Sequence, residues 1–381
     1  MGEAAGYHLI SYVSNLFTPH LINEFGWSRS AIALVGSSAF ASIVGQPVAG
    51  RLTDALGVRR MALIGVVSAP LVLLGLSVMN GALVVYFTLS LLLVLLVGGT
   101  TTAPVYSRLI AYRFRRARGI ALAVAACAPA AVAAAVIPFL SRLIDVRGWR
   151  SGFMALAVYT AIAGAVAILL IPAGADVRPT AGVGTRGRRS YGAIARNRAF
   201  QLIMGGFVLC TLSVAMQLSQ LKVILLDRGL DSDTGSLAVS LFAFSMMLGR
   251  IGCGVALDRF PVHAVSAIAL GLPGAGLLIL ASGTSVMPLI GVAVLLLGLS
   301  FGAEGDIVAY AVMKFFNLEI YSTVLGLVFG ALALSVAGGS LLLSLMLKLS
   351  GNYTSFEVLS GVSALIGGGM FWRLKRVPPM G

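Results

Sequence analysis

Apolar residues run through this chain in twelve long stretches, separated by short breaks that collect charges, glycines and prolines. A helix crossing the ~30 Å hydrocarbon core of a bilayer needs about 20 such residues, and each stretch supplies roughly that many. The expected spans cover 4–22, 28–50, 61–79, 82–111, 119–141 and 151–171, then 199–225, 234–257, 264–283, 286–313, 321–347 and 354–373. The fourth and tenth exceed the core thickness and must tilt or protrude. The one long break, Pro172 to Arg198, is rich in Gly, Pro, Thr and Arg and divides six spans from six. It predicts a linker in which Ser190 to Arg198 forms a short basic helix on an anionic leaflet. The predicted fold class is an all-α membrane protein with 12 transmembrane helices in two six-helix bundles, residues 1–171 and 199–381, joined by 172–198.

Composition agrees. The chain is 59% hydrophobic and only 10% charged, with a mean hydropathy of +0.99, whereas soluble domains carry about 25% charged residues. The net charge of +14 raises the question of nucleic acid, but the basic residues follow the breaks instead of forming one patch with interleaved aromatics. With both termini inside, Arg51, Arg59, Arg60, Arg113, Arg115, Arg116, Arg118 and the arginines of the linker fall on the cytoplasmic side. On the other side Arg29, Arg142, Arg147, Arg150, Lys222, Arg228 and Lys348 are nearly balanced by Glu24, Asp145, Asp227, Asp231, Asp233 and Glu357. This is the positive-inside bias. It predicts a multi-pass protein of a bacterial inner membrane, with the lipid bilayer as solvent and no nucleic-acid partner.

Cys127, Cys210 and Cys253 lie inside hydrophobic stretches without metal-ligand spacing, which predicts small apolar fillers and neither disulfide nor metal site. The first stretch has no basic head or small-residue cleavage pattern and so is not a cleavable signal peptide. It begins almost at Met1, from which a start upstream of this methionine is expected. No phosphate-binding loop, ATPase motif, Ser/His/acid set or cofactor motif occurs, so an enzyme is not expected, and any work across the membrane must draw on gradients.

The second span ends Gly50-Arg51-Leu52-Thr53-Asp54-Ala55-Leu56-Gly57-Val58-Arg59-Arg60, and Gly254, Asp258 and Arg259 repeat the pattern 204 residues further on. The same offset pairs Ser28 with Ser232, Val35 with Val239, Phe40 with Phe244 and Gly45 with Gly249. Two parallel six-helix repeats follow, an arrangement that binds substrate near the midplane between the halves. Gly36, Gly45 and Gly50, with Gly298, Gly302 and Gly305 in the tenth span, are expected to let neighbouring backbones approach.

This loop signature resembles that of the major facilitator superfamily between its second and third helices. With Phe25-Gly26-Trp27-Ser28-Arg29-Ser30, Phe114-Arg115-Arg116-Ala117-Arg118-Gly119, Gly148-Trp149-Arg150, Glu304-Gly305-Asp306 and Lys314-Phe315-Phe316, the chain resembles the bacterial monocarboxylate and oxalate/formate branch. The resemblance implies the superfamily fold, a monomer and a conformational gate at Gly50, Asp54, Gly57 and Arg59, with Asp258 at the repeat position. Asp54 can accept from helix N-terminal amides or pair with Arg59 or Arg60, a latch that rocking must break. Ala55 departs from the usual basic residue of the loop, and Ala123 from the usual glycine of the fifth helix.

Arg250 lies about two turns before Asp258, where an arginine costs roughly 2.5 to 3.5 kcal/mol if central. Its planar fork can grip a carboxylate by two parallel hydrogen bonds, and the resemblance assigns it the substrate-linked role of a helix 8 arginine. Alternatively it snorkels or pairs with Glu304 or Asp306. Proton-coupled relatives place an aspartate four residues earlier, where this chain has Met246, and a first-helix lysine near Tyr12. Tyr12 and Asn15, three residues apart on one face, are therefore candidate anion donors. Glu304 and Asp306 are coupling candidates, but roughly 200° apart on a helix they cannot both enter one cavity; structural pairing with Arg108, Arg250 or Lys314 is the alternative. Gln217, Gln220 and Lys222 are expected to line an outer vestibule. The leading expectation is a permease for a small organic anion, a mono- or dicarboxylate, working by alternating access with H+ symport or anion exchange both open. A drug or siderophore exporter, or a transporter-derived sensor, is the alternative.

Overall fold

The computed structural model describes residues 3–101, 118–171, 191–316 and 318–378; the side chains of 3, 46, 47, 50, 51, 54, 55, 118–126, 191–193 and 318–323 lie outside the described set. Each of the twelve stretches is mainly helical where it is described, and no strand occurs among the described residues. Among the described residues ten helices are long and apolar enough to cross a membrane: Val58–Ser77, Leu83–Thr101, Cys127–Arg147, Trp149–Leu170, Arg198–Ser219, Ser232–Arg259, Val262–Ala281, Met287–Phe315, Val324–Ser350 and Thr354–Arg376. Met287–Phe315 runs 29 residues without interruption, about 43 Å at 1.5 Å per residue, so it overreaches the core as its sequence requires. The expected end of the fourth span, 102–111, lies outside the described residues. Large apolar side chains such as Phe139, Leu169 and Leu349 are 76%, 84% and 78% exposed, the surface of a protein whose solvent is lipid.

The first two spans are broken helices. Tyr7–Val13 passes through a 3₁₀ turn at Ser14–Leu16 into Thr18–Phe25. Pro19 explains the break, because proline has no N–H to give the carbonyl of Asn15 and its ring crowds that carbonyl. The second span runs Arg29–Val35, a 3₁₀ stretch Gly36–Phe40 and Ala41–Leu56; Gly36, Ser37 and Ser38 are poor holders of an α-helix. The seventh span breaks too, with helices ending at Thr211, covering Val214–Ser219, and resuming at Leu221–Asp227. Within the fourth, Leu93–Gly98 widens to a π-helical turn.

Breaks inside an apolar span free backbone carbonyls that must find donors. Ser14 Oγ donates to Leu218 O at 2.7 Å and Thr18 Oγ1 to Ser219 O at 2.6 Å, so the break of the first span satisfies that of the seventh. Ser14 and Leu218 are themselves 204 residues apart, the offset of the sequence repeat. A second pair of contacts keeps that offset: a Cβ added at Gly45 would meet the side chain of Leu95, and one added at Gly249 would meet the backbone of Leu299.

The chain divides into two compact units, Met1–Thr180 with Leu218–Ala243, and Ala181–Gln217 with Phe244–Gly381. The first has its core around Leu9, Val13, Phe17, Leu73, Ile137, Leu156 and Val239. Phe17 and Phe153 stack there with ring centroids 3.9 Å apart. The second is built on Ile203, Phe207, Ile307, Val308, Val312, Val328 and Phe371. Of the linker, 172–190 lies outside the described residues; Tyr191–Arg196 is the expected short basic helix, and Asn197 caps the next one by accepting from Ala199 N at 2.8 Å.

Candidate substrate and coupling site

In the second unit, helices Ser232–Arg259 and Met287–Phe315 touch backbone to backbone beside Arg250. An added Cβ on Gly249 would sit 2.1 Å from the Leu299 carbonyl oxygen, and one on Gly302 only 1.9 Å from that of Met246 and 3.0 Å from Arg250 N. No side chain larger than hydrogen fits either place. This fixes Arg250 at the helix contact, with Glu304 just beyond Gly302. Arg250, Glu304 and Asp306 are all half-buried. The arginine's charge acts on both carboxyls, yet among the described residues no ion pair within 4.0 Å joins either acid to Arg250 or Lys314. The expected divergence of the acids is visible in their neighbours: Glu304 acts electrostatically on Cys210, whereas Asp306 acts on Cys253. Both thiols are buried and aim at carbonyls, Cys210 at Ala364 O and Cys253 at Ala303 O. Gly305 does not serve the close approach expected of it, since a Cβ there would meet nothing within 4 Å. Arg108 lies outside the described residues.

In the first unit, Tyr12 is half-buried and its ring stacks on His8 at 6.2 Å. Asn15 is fully buried in the 3₁₀ turn, so the two differ in exposure although they are three residues apart. The gate residues are divided. Gly57 ends Ala41–Leu56 with φ +85°, a left-handed conformation that glycine adopts without steric cost, and Arg59 is half-buried in the first turn of the next helix. The surroundings of Gly50 and the side chain of Asp54 lie outside the described residues. Asp258 and Arg259 are exposed at the end of their helix.

The vestibule expectation fails. Gln217 is 2% exposed, and Gln220 and Lys222 are fully buried, because the turns of the seventh span fold them inward. Gln217 Nε2 donates to Ser213 Oγ at 2.7 Å. Lys222 Nζ donates to Ser141 Oγ at 3.0 Å and Ser232 Oγ at 3.1 Å. Reading helices as continuous placed these residues at a rim; the polar run from Gln217 to Lys222 was the signal of the break. At the same end, Arg29 pairs with Asp227, while the Arg150 guanidinium and the Trp149 indole N–H both donate to Glu24. These donors hold the Glu24 carboxyl below the usual carboxylate range.

Comparison with known proteins places the whole arrangement. No curated protein matches this chain in sequence. Among solved structures it is similar to the nucleoside transporter NupG in a mutant form, with a TM-score of 0.80 at 12% identity over 98% of each chain. It is also similar to a bacterial homologue of the human lysosomal transporter Spinster, with a TM-score of 0.70 at 12% identity over 98% of this chain and 95% of that one. A D-xylose–proton symporter gives 0.71 at 15% identity over 99% and 97%. At such identities these likenesses concern the fold. The family model described as Major Facilitator Superfamily matches residues 4–340. With that match running from the first span into the eleventh, the chain belongs to the Major Facilitator Superfamily and is a membrane transporter, not an enzyme.

Proposed function

We propose that this transporter carries a small organic anion, a mono- or dicarboxylate, by alternating access, with Arg250 gripping the carboxylate. One observation carries the reading: Arg250 stands in an apolar helix where Gly249 and Gly302 let two backbones meet, near two acids but paired within 4.0 Å with neither. An arginine that only braced the fold would repay its burial with a direct ion pair. Here its bidentate donors remain for a ligand. In this reading Tyr12 and Asn15 supply donors from the first span, one of Glu304 and Asp306 carries a coupling proton, and Gly50, Asp54, Gly57, Arg59 and Asp258 form the cytoplasmic gate. Residues 1–171 and 199–381 act as the two rocking bundles of a monomer in a bacterial inner membrane, with both termini cytoplasmic.

Uptake of labelled carboxylates by proteoliposomes, with and without a pH gradient, tests it. Lysine keeps the charge of Arg250 but loses the fork, and one lost charge-assisted hydrogen bond is worth about 1.5–3 kcal/mol. Arg250→Lys should therefore cut kcat/KM for carboxylates by roughly 10- to 150-fold, with the protein as stable as before. Carboxylate transport at the wild-type rate by Arg250→Ala rejects the grip.

A further inference from the structure

A second ionisable cluster lies in the first unit, away from Arg250 in sequence and built differently. Asp145 Oδ2 accepts from Ser232 Oγ at 3.0 Å, and Asp145 Oδ1 faces His20 Nε2 at 3.2 Å. Ser232 and Ser141 in turn accept from the buried Lys222 ammonium at 3.1 and 3.0 Å, and Ser141 Oγ lies 2.6 Å from Ser236 Oγ. The charged groups that act on this set are His20, Asp145, Lys222 and Asp233; Asp233 reaches Lys222 from one residue beyond Ser232. His20 and Asp145 come from the first and fifth spans, Lys222 and Asp233 from the seventh and eighth. One carboxylate thus serves two partners: an imidazole from its own half of the chain and, through two hydroxyls, an ammonium from the other half.

We propose that His20, Asp145 and Lys222 form a proton-binding site that ties the outer ends of the first and fifth spans to those of the seventh and eighth, and that a proton taken up at His20 releases the tie. With Nε2 already donating to Asp145, the incoming proton goes to Nδ1. The imidazolium then claims Asp145 as a direct ion pair and repels Lys222, and the ammonium turns to Asp233, on its own half. A cross-half link becomes two within-half pairs. An imidazole takes up its proton only in acid, so acid on the side that this end of the protein faces opens it, and alkaline conditions close it. The inference uses the alternating access of the superfamily and does not rest on the carboxylate reading.

Spin labels at Val146→Cys and Leu237→Cys, both exposed at 82% and 59%, report the separation of the fifth and eighth spans in protein whose three native cysteines are replaced by alanine. The distance should lengthen as the pH is lowered from about 7.5 to about 4.5, a range that extends well below the ordinary imidazole midpoint of about 6.5. His20 is 27% exposed, so His20→Gln should fold, keep the short distance and lose the pH response. His20→Lys, a fixed positive charge, should give the long distance at both pH values. Asp233→Asn should retain the short distance under acid, its ammonium having no second acid to turn to. A wild-type distance that ignores pH, or a response that survives His20→Gln, overturns the proposal, whatever solute is carried.

Discussion

At the scale of single residues, Gly302 decides more than its size implies. Its missing side chain lets two helix backbones meet at the level of Arg250, and the nearest atom to any Cβ added there is a carbonyl oxygen, which cannot swing aside. Gly302→Ala must therefore push the helices apart. The expected loss is about 1–3 kcal/mol, the usual cost of overpacking, seen as a lower Tm of the purified protein and as weakened transport through the displaced Arg250. Gly305→Ala is the matched control three residues on. Its Cβ meets nothing within 4 Å, and alanine is the better helix former by ~1 kcal/mol, so its Tm should be unchanged or higher. Equal destabilisation by both would show that the drop reflects glycine loss in general and not this contact.

At the scale of helices, hydrophobic length marked where the helices lie, because a chain segment in lipid must satisfy its backbone hydrogen bonds within the protein. Continuity was less legible. Pro19 is visible in the sequence and accounts for the break at Ser14–Leu16, but the turn at Ser219–Gln220 has no proline or glycine within its own residues. It exists because Ser14 and Thr18, some two hundred residues away, satisfy its carbonyls. Local sequence cannot show a donor supplied from so far off, and for that reason Lys222 was expected at a rim while it is buried. The repeat, by contrast, could be read directly: the offset that pairs Gly45 with Gly249 also pairs their contact partners, Leu95 and Leu299. The loop after the second span belongs to this scale as well. Gly57 makes its turn, and Asp54 is placed by sequence to latch it. Asp54→Asn replaces a charge-assisted hydrogen bond by a neutral one, a loss of about 1 kcal/mol. Flux per inserted molecule should fall by roughly fivefold, with membrane level unchanged; normal flux removes Asp54 from the gate.

At the scale of the whole molecule, the compact units do not follow chain order. Leu218–Ala243 joins the first six spans, held by Ser14, Thr18, the Arg29–Asp227 pair, and Ser240 Oγ donating to Ala134 O at 2.5 Å. At the end where acids and bases are nearly balanced, ion pairs neutralise one another: Arg29 with Asp227, Arg150 with Glu24. The opposite end keeps its excess of arginine, including exposed Arg60, Arg196, Arg198 and Arg259. A surplus of unneutralised basic residues is retained on the cytoplasmic side during insertion, so the asymmetry behind the +14 overall supports the orientation proposed above. On that proposal the linker between the sixth and seventh spans is inside. A cysteine placed at Thr185, in protein without its three native cysteines, should resist a membrane-impermeant thiol reagent in intact cells and react once the membrane is opened. A cysteine at Asp231, on the balanced end, should react in intact cells without permeabilisation. If the two positions exchange behaviour, the chain is inserted the other way up, and Glu24, Asp145 and His20 face the cytoplasm instead of the outside.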